Sequence, residues 1–467
     1  MTQPAAAETV PPEQQPLADA FAEWAAGLSP DRIPEEVRAT LRRVLLDAGG
    51  LMVAARNTDY VRAVVASAEG EGACTAIGHR RAFTAAETAL LSGTAAHGED
   101  FDDTFEGSPV HVGAVIVPAV LAAAEAAARG GADVLKGLAI GGELMCRLTL
   151  VAPTAIHRAG FHPTAVIGAL GAAVGAGATL GLGPRELASA LGIAGSMASG
   201  IIEYLAEGTW TKRMHPGWAA QAGIRAARLA QAGFLGPRTV LEGTHGFFFA
   251  FADPSIPRHL GRITDALGER WHIANLAFKP YACGTMIQPY IDCAMRLRAQ
   301  GVAPEAVTQV VALVGEGTVH RLWEPREEKA APSTPYGAKF SGPYGVAIGF
   351  CDGAAGLAQF TEERIRDKGL LALAARVRHE VDPDNDYPRN YSGRLRVWLA
   401  DGRVVEAEQP HMRGGVREPM SDDELTAKFM ANAAFGGWPE SLARAYAEFV
   451  REMTSLADLS ALARFRA

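Results

Sequence analysis

Apolar residues between positions 17 and 267 recur three and four apart, broken at Gly and Pro, and strand-like alternation is almost absent. The spacing predicts a helix over IPEEVRATLRRVLLDAGGLMVAA, entered through Ser29, Pro30 and Asp31 with acidic residues in its first turn. Further amphipathic helices are predicted over 85–97, 115–129, 132–150, 184–200 and 217–232. Small residues recur in GALGAAVGAGATLGLG, GIAGSMASG and GWAAQAGIRAARLAQAG, which lets helix backbones approach closely. Residues 164–183 carry no charge, but their six glycines make the segment only weakly hydrophobic, so a buried helix is expected there rather than a membrane span.

The pattern changes after Phe278. VTQVVALVGEGTV and RLRVWLADGRVVEAEQP show β-branched alternation, and Asp401-Gly402 between two such runs signals a hairpin. Ser421 and Glu424 make a capping box at the start of SDDELTAKFMANAAF. The expected architecture is mainly α. It has a flexible N-terminus over 1–16, a large all-helical domain over 17–277, a smaller α/β domain over 278–414, and C-terminal helices over 415–467 that rejoin the helical domain.

Length and composition support two folded parts, since 467 residues exceed what one hydrophobic core usually serves and the hydrophobic share is 48%. A net charge of -8 argues against nucleic acid or an anionic membrane as partner, so an anionic substrate would need local basic groups. Cys74, Cys146, Cys283, Cys293 and Cys351 are scattered and lack a CxxC pair, which points to reduced thiols and a cytoplasmic location. The N-terminus has neither the basic nor the apolar region of a signal peptide. No GxxxxGK[ST] or GxSxG motif is present, and the glycines at 168, 171, 175 and 177 follow a His-Pro helix start rather than a strand. A nucleotide cofactor is therefore not expected.

Candidate chemistry concentrates in HGEDFDDTFEGSPVH, which runs from His97 to His111 and holds Asp100, Asp102, Asp103 and Thr104. A carboxylate beside a His can orient the ring and fix its tautomer, as a general base near neutral pH requires. The same residues suit a solvated loop in which Asp103 or Thr104 caps a turn. A metal site is a further alternative, although one His among clustered Asp lacks a recognisable ligand spacing. His162, ahead of Pro163, falls at the positive end of a helix, where a structural role or a neutral, acid/base-competent ring both fit. Lys212, Arg213 and His215 precede another predicted helix and suit either a substrate carboxylate or an ordinary basic loop. Lys279 in FKPYACG lies at the proposed domain junction, and Lys339 and Tyr344 in AKFSGPY are weaker candidates.

Taken together, HGEDFDDT with its following His, PAVLAAAEA, GFHPTAVIGALGAA, TKRMHPGWAAQAGIRAARLAQAGFLGP, LEGTHGFF, FKPYACG and KFSGPYGVA resemble the MmgE/PrpD family, which includes 2-methylcitrate dehydratase, cis-aconitate decarboxylase and iminodisuccinate epimerase. The resemblance implies a homodimer of chains with a helical domain and a smaller α/β lid domain. It also implies a site between the two that uses neither metal nor organic cofactor. The matching site positions are Asp100, Thr104, His111, His162, Lys212, Lys279 and Tyr344, with His215 beside Lys212. The chain departs from the pattern in three places. Val112 follows His111 where relatives commonly have Pro, the gap from Asp100 to His111 is one residue longer than in the decarboxylase, and Gly284 and Gln288 stand where relatives carry His.

The resulting expectation is an enzyme that abstracts a proton next to a carboxylate of a small di- or tricarboxylate. Lys212, Lys279 and Arg213 would neutralise carboxylates, and His111 or His162 would be the base. Asp100 would orient a ring, Thr104 would hold a carboxylate or hydroxyl, and His215 and Tyr344 would complete the binding set. A lyase of the 2-methylcitrate dehydratase kind is the first reading. An epimerase of an amino- or imino-dicarboxylate is the alternative, ahead of a decarboxylase or an inactive dicarboxylate-binding protein.

Overall fold

The computed structural model describes residues 15–108 and 110–467; residues 1–14, most of the expected flexible N-terminus, and Pro109 lie outside that description. The architecture is mainly α with a smaller α/β part. The chain forms two compact units. The larger comprises the described residues up to Gly98 together with Asp102–Leu276 and Asn432–Ala467, and the smaller comprises Glu99–Phe101 and Ala277–Ala431.

The larger unit is built from helices α1 (Leu17–Gly27), α2 (Glu35–Ala55), α3 (Asp59–Ser67), α4 (Ala85–His97), α5 (Gly113–Ala126), α6 (Gly131–Val151), α7 (Ala155–Arg158), α8 (Pro163–Thr179), α9 (Pro184–Met197), α10 (Tyr204–Glu207) and α11 (Thr211–Gln231). The start signals act as the sequence suggests. Thr84 Oγ1 accepts from Glu87 N at the head of α4, and Pro163 and Pro184 open α8 and α9, where a missing N–H costs nothing. Helix α8 lies at the centre, packed by α5, α6, α9 and α11, and every residue over 164–179 is buried. A helix that is apolar all round belongs in such a position. Among the described residues no helix is long and apolar enough to cross a membrane. A two-residue antiparallel ladder in this region, Cys74–Thr75 with Ala82–Phe83, was not foreseen from the sequence.

Helix α11 differs from expectation in a way that bears on the site. It starts at Thr211, not at 217, and Pro216 lies inside it. The carbonyl that Pro216 leaves unbonded is that of Lys212, in the first turn, and His215, Pro216 and Gly217 are all buried, so packing of this turn outweighs the cost of the proline. Lys212 and His215 consequently share one helix face, three residues apart.

In the smaller unit the strands β1 (Val307–Val314), β2 (Val377–Val381), β3 (Gly393–Leu399) and β4 (Val404–Gln409) form a sheet in the order β2-β1-β3-β4. Strand β2 runs parallel to β1 and the other pairs are antiparallel. The Asp401-Gly402 hairpin joins β3 to β4, with Gly402 at φ 86° and Arg403 N donating to Asp401 Oδ1. Strand β2, sequence VRHEV, escaped the sequence reading because three of its five residues are polar or charged. The helix Gln288–Ala299 packs on β3 and β4, and Gly342–Cys351 packs on that helix. The predicted capping box is formed, with Ser421 N donating to Glu424 Oε2 and Glu424 N donating to Ser421 Oγ.

Small residues bring α4 and α11 into backbone contact. A Cβ on Gly217 would lie 2.1 Å from Leu90 O, and one on Gly93 would lie 2.5 Å from Gly217 Cα. In a free helix Gly217→Ala would gain about 1 kcal/mol from propensity. Here it should cost about 1–3 kcal/mol through overpacking, read as a lower midpoint in urea unfolding. An unchanged or higher midpoint would contradict the close approach of the two helices.

Candidate active site

The larger unit gathers four histidines and a buried acid. His97 ends α4, and His111 lies just ahead of α5. Asp102 Oδ2 is 2.8 Å from His97 Nδ1 and 3.3 Å from His111 Nδ1. Burial opposes its charge, but the His111 and His97 rings hold the Asp102 carboxyl well below the usual carboxylate range. An ionised carboxylate can only accept, so both Nδ1 atoms carry hydrogen. His111 Nδ1 is fixed a second time, 2.8 Å from the Asp103 carbonyl oxygen, which also can only accept. The neutral His111 ring therefore has its lone pair on Nε2, and its side chain is 12% exposed where that of His97 is 0%.

Asp103 and its neighbours hold this arrangement in place. The Asp103 carboxylate accepts from Val112 N at 3.1 Å and Gly113 N at 2.9 Å, capping the first turn of α5. Burial and the charge of Asp102 push its carboxyl up to about 7, against the pull of the Gly113 amide. Thr164 Oγ1 on α8 accepts from His111 N at 3.1 Å. The turn-capping alternative thus holds for Asp103, while Asp102 supplies the ring-orienting carboxylate that the sequence reading assigned to Asp100.

The other two rings belong to the starts of α8 and α11. His162, the N-cap residue of α8, and His215 of α11 face each other with Nδ1 atoms 3.2 Å apart, so one must donate to the other. The His97 and His162 ring centres are 5.8 Å apart, and Tyr204 of α10 stands 6.2 Å from His162 and 5.8 Å from His215. Burial, then His97 and Lys212, bring His215 down to about 4 and hold His162 well below the usual range. Burial and Lys212, opposed by Asp102, bring His97 to about 4. Lys212 thus sends its charge into the histidine cluster. Arg213 turns elsewhere, with its guanidinium 4.5 Å from the centre of the Tyr60 ring. Thr104 is buried in a two-residue strand, Thr104–Phe105.

In the smaller unit, three ammonium groups hold three successive carbonyls. Lys339 Nζ donates to Glu99 O at 2.7 Å, Lys279 Nζ to Asp100 O at 2.9 Å and Lys428 Nζ to Phe101 O at 2.8 Å. Lys279 also pairs with Asp100 Oδ1 at 3.2 Å, and Asp100 adopts a left-handed φ of 54°, which Asp tolerates better than most residues. The chain passes directly from this held segment to Asp102. Tyr344 is buried and donates its hydroxyl to Gln359 O at 2.7 Å. Gln288 donates to Tyr281 O and Cys283 O, and Gly284 N donates to Lys339 O.

His97, Asp102 and Lys428 are the groups to which reasoning from sequence gave no role in the site, and Lys339 was a weaker candidate there. His97 opens the acid-rich segment, but nothing local tells which of three aspartates it meets. The donor atoms of His97, Asp102 and His111 lie within 4.8 Å of one another, close enough to be examined as a cation site. The same atoms also form a hydrogen-bonded network, with Asp102 Oδ2 2.8 Å from His97 Nδ1 and 3.3 Å from His111 Nδ1. The five cysteines are all free.

Neutral buried rings have a consequence for acid stability. Between pH 6.5 and 4 the unfolded chain protonates His97 and His215 while the folded chain does not, so their contribution is lost as pH falls, up to about 1.4 kcal/mol per pH unit for each ring. Asp103, with its raised carboxyl, acts in the opposite direction over about the same window. Titration of ring carbon-13 shifts from pH 7.5 to 5 should find His97, His162 and His215 uncharged throughout. Protonation of any of them above pH 6 would contradict the burial described here.

The chain matches the MmgE/PrpD N-terminal domain over residues 19–259 and the MmgE/PrpD C-terminal domain over residues 281–451. It is 28% identical to the cis-aconitate decarboxylase of Aspergillus terreus, over 94% of this chain and 93% of the relative. The human cis-aconitate decarboxylase is 30% identical over 80% of this chain and 78% of its own length. A cis-aconitate decarboxylase-like protein of Aspergillus oryzae is 28% identical over 87% and 88%. With both of its domains matched and its relatives aligned over most of their length, the chain belongs to the MmgE/PrpD family.

Proposed function

We propose that this protein is a lyase that moves a proton at the carbon next to a carboxylate of a small tricarboxylate, with His111 as the proton carrier. The observation that carries the reading is the fixed tautomer of His111, whose Nδ1–H is bound by Asp102 and Asp103 so that Nε2 is the basic atom. Asp102 stabilises the imidazolium form that the ring passes through. Lys212 offsets substrate carboxylate charge, with His162 and His215 as neutral hydrogen-bonding groups beside it. Lys279, Asp100, Thr104 and Tyr344 are retained as contributors on the family pattern, and no metal or organic cofactor is invoked.

The names of the relatives put decarboxylation of a cis-aconitate-like acid first. In that reaction the His111 imidazolium delivers its proton to an alkene carbon while the bond to an allylic carboxylate breaks, its electron pair shifts the double bond, and CO2 leaves. Dehydration is the second reading, supported by Gly284 where the decarboxylase pattern has His. There Nε2 removes a C–H proton and a β-hydroxyl leaves as water after protonation by a second group. Epimerisation would need proton return without a leaving group. The free cysteines support a cytoplasmic location.

Incubation with cis-aconitate, citrate, methylcitrate and iminodisuccinate in D2O, followed by proton NMR, should show deuterium entering beside a carboxylate together with loss of CO2 or water. His111→Gln should lower kcat by about 10²–10⁴-fold, and Lys212→Met should chiefly raise KM. Deuterium entry with no leaving group would favour the epimerase. No exchange with any of the acids, or full turnover by His111→Gln, would sink the reading.

A homodimer is proposed on the exposed apolar side chains Ile201, Leu205, Trp210 and Trp218, which a solvated surface does not favour. Light scattering should give the mass of two chains, and a monomer at micromolar concentration would overturn this.

A further inference from the structure

Asp102 serves two rings through one oxygen. Oδ2 receives Nδ1–H from His97 at 2.8 Å and from His111 at 3.3 Å, so the shorter contact belongs to the ring that is wholly buried. His97 Nε2 and Asp102 Oδ1 are both buried with no hydrogen-bond partner among the described residues. His97 therefore spends its one hydrogen on Asp102, and Asp102 has no other side chain in the described hydrogen bonds to share its charge with. The rings of His97 and His111 also meet edge to face, with centres 4.7 Å apart.

We propose that His97 is a positioning residue which, by donating Nδ1–H to Asp102 Oδ2, takes up part of that carboxylate's charge and so limits how strongly Asp102 draws on His111. This rests on the reading of His111 as proton carrier. A ring tied to an unshared carboxylate would hold its proton too firmly to pass it on, whereas a shared carboxylate orients the ring and still lets the proton leave. The wholly buried His97 ring is itself kept neutral, so it competes for Asp102 as a hydrogen-bond donor and not as a second cation. The other groups facing this pair are Asp103 from the same loop, Lys212 and His215 from α11, His162 at the start of α8, Cys146 from α6 and, through Asp103, Asp47 from α2. All of these residues are retained when His97 is replaced, although His162 and His215 lose one neighbour that disfavours their protonation.

Three variants separate positioning from general packing. His97→Asn keeps an N–H near the Nδ1 position, His97→Gln places its amide too far along, and His97→Leu removes the donor. The His111 ring is followed by carbon-13 and nitrogen-15 NMR titration in each protein, alongside the pH dependence of kcat/KM on whichever acid the wild type turns over. In the Leu and Gln variants the midpoint of His111 should rise by roughly one pH unit, the effect of returning one hydrogen bond's share of the carboxylate. The limb of kcat/KM that titrates His111 should move up with it, the basic limb if the imidazolium donates the proton and the acid limb if Nε2 removes one, and kcat should fall roughly 10- to 100-fold with little change in KM. His97→Asn should restore both midpoint and rate to within about threefold of wild type. An unmoved His111 midpoint in both the Leu and Gln variants, or an Asn variant that behaves like Leu, would overturn the proposal. If His97→Leu fails to fold, the Asn and Gln pair decides. The NMR midpoints need no turnover, so a protein that exchanges no carboxylate proton but shows the shift would sink the proposed function and leave the sharing of Asp102 in place.

Discussion

A carboxylate kept ionised inside a protein is expensive unless hydrogen-bond donors surround it, and Asp102, 2% exposed, imposes that constraint on everything near it. Its two side-chain donors come from opposite ends of one loop, His97 where α4 stops and His111 just before α5 begins. Both rings keep Nδ1–H directed at it, which leaves Nε2 as the lone-pair nitrogen of a neutral His111 ring. Asp103 closes the same loop from the other side, since its carbonyl holds the His111 ring and its carboxylate holds the first amides of α5. Two adjacent aspartates thus set the tautomers, the loop path and the first turn of a helix.

The His97, His162 and His215 rings stay neutral because they are buried and lie near the charge of Lys212. Dense packing makes that possible. Glycines such as Gly93 and Gly217 let α4 and α11 touch through their backbones, which brings His97 and His215 to the same region without a layer of large side chains between them. Electrostatic interactions in such a dry region are stronger than in water, so one lysine there counts for more than several at the surface.

Residues 99–101 show another use of charge. Each of their carbonyl oxygens accepts from a lysine of the smaller unit, and Lys279 also pairs with the Asp100 side chain. Three ammonium groups on three successive peptides hold a short segment more firmly than its own side chains could. The backbone at Asp100 accordingly keeps a left-handed conformation. Lys279, which read from sequence as a substrate ligand, thus holds the chain leading into Asp102.

The sequence by itself determined the helical character of the larger unit, the hairpin at Asp401-Gly402, the capping box at Ser421, and the family, because these rest on local periodicity, turn chemistry and motif order. Segment 97–111 was legible as chemistry for the same reason. Tertiary structure alone decided the division of labour within it. Three aspartates within four residues are indistinguishable by composition, yet folding points Asp102 at two histidines, Asp103 at helix amides and Asp100 at Lys279. The helix was expected from 217, and only the buried packing of the turn around Pro216 placed Lys212 and His215 inside its first turns. Contacts between residues far apart in the chain, such as His162 with His215 or Lys428 with Phe101, leave no periodic trace in the sequence, since each depends on where whole helices come to rest.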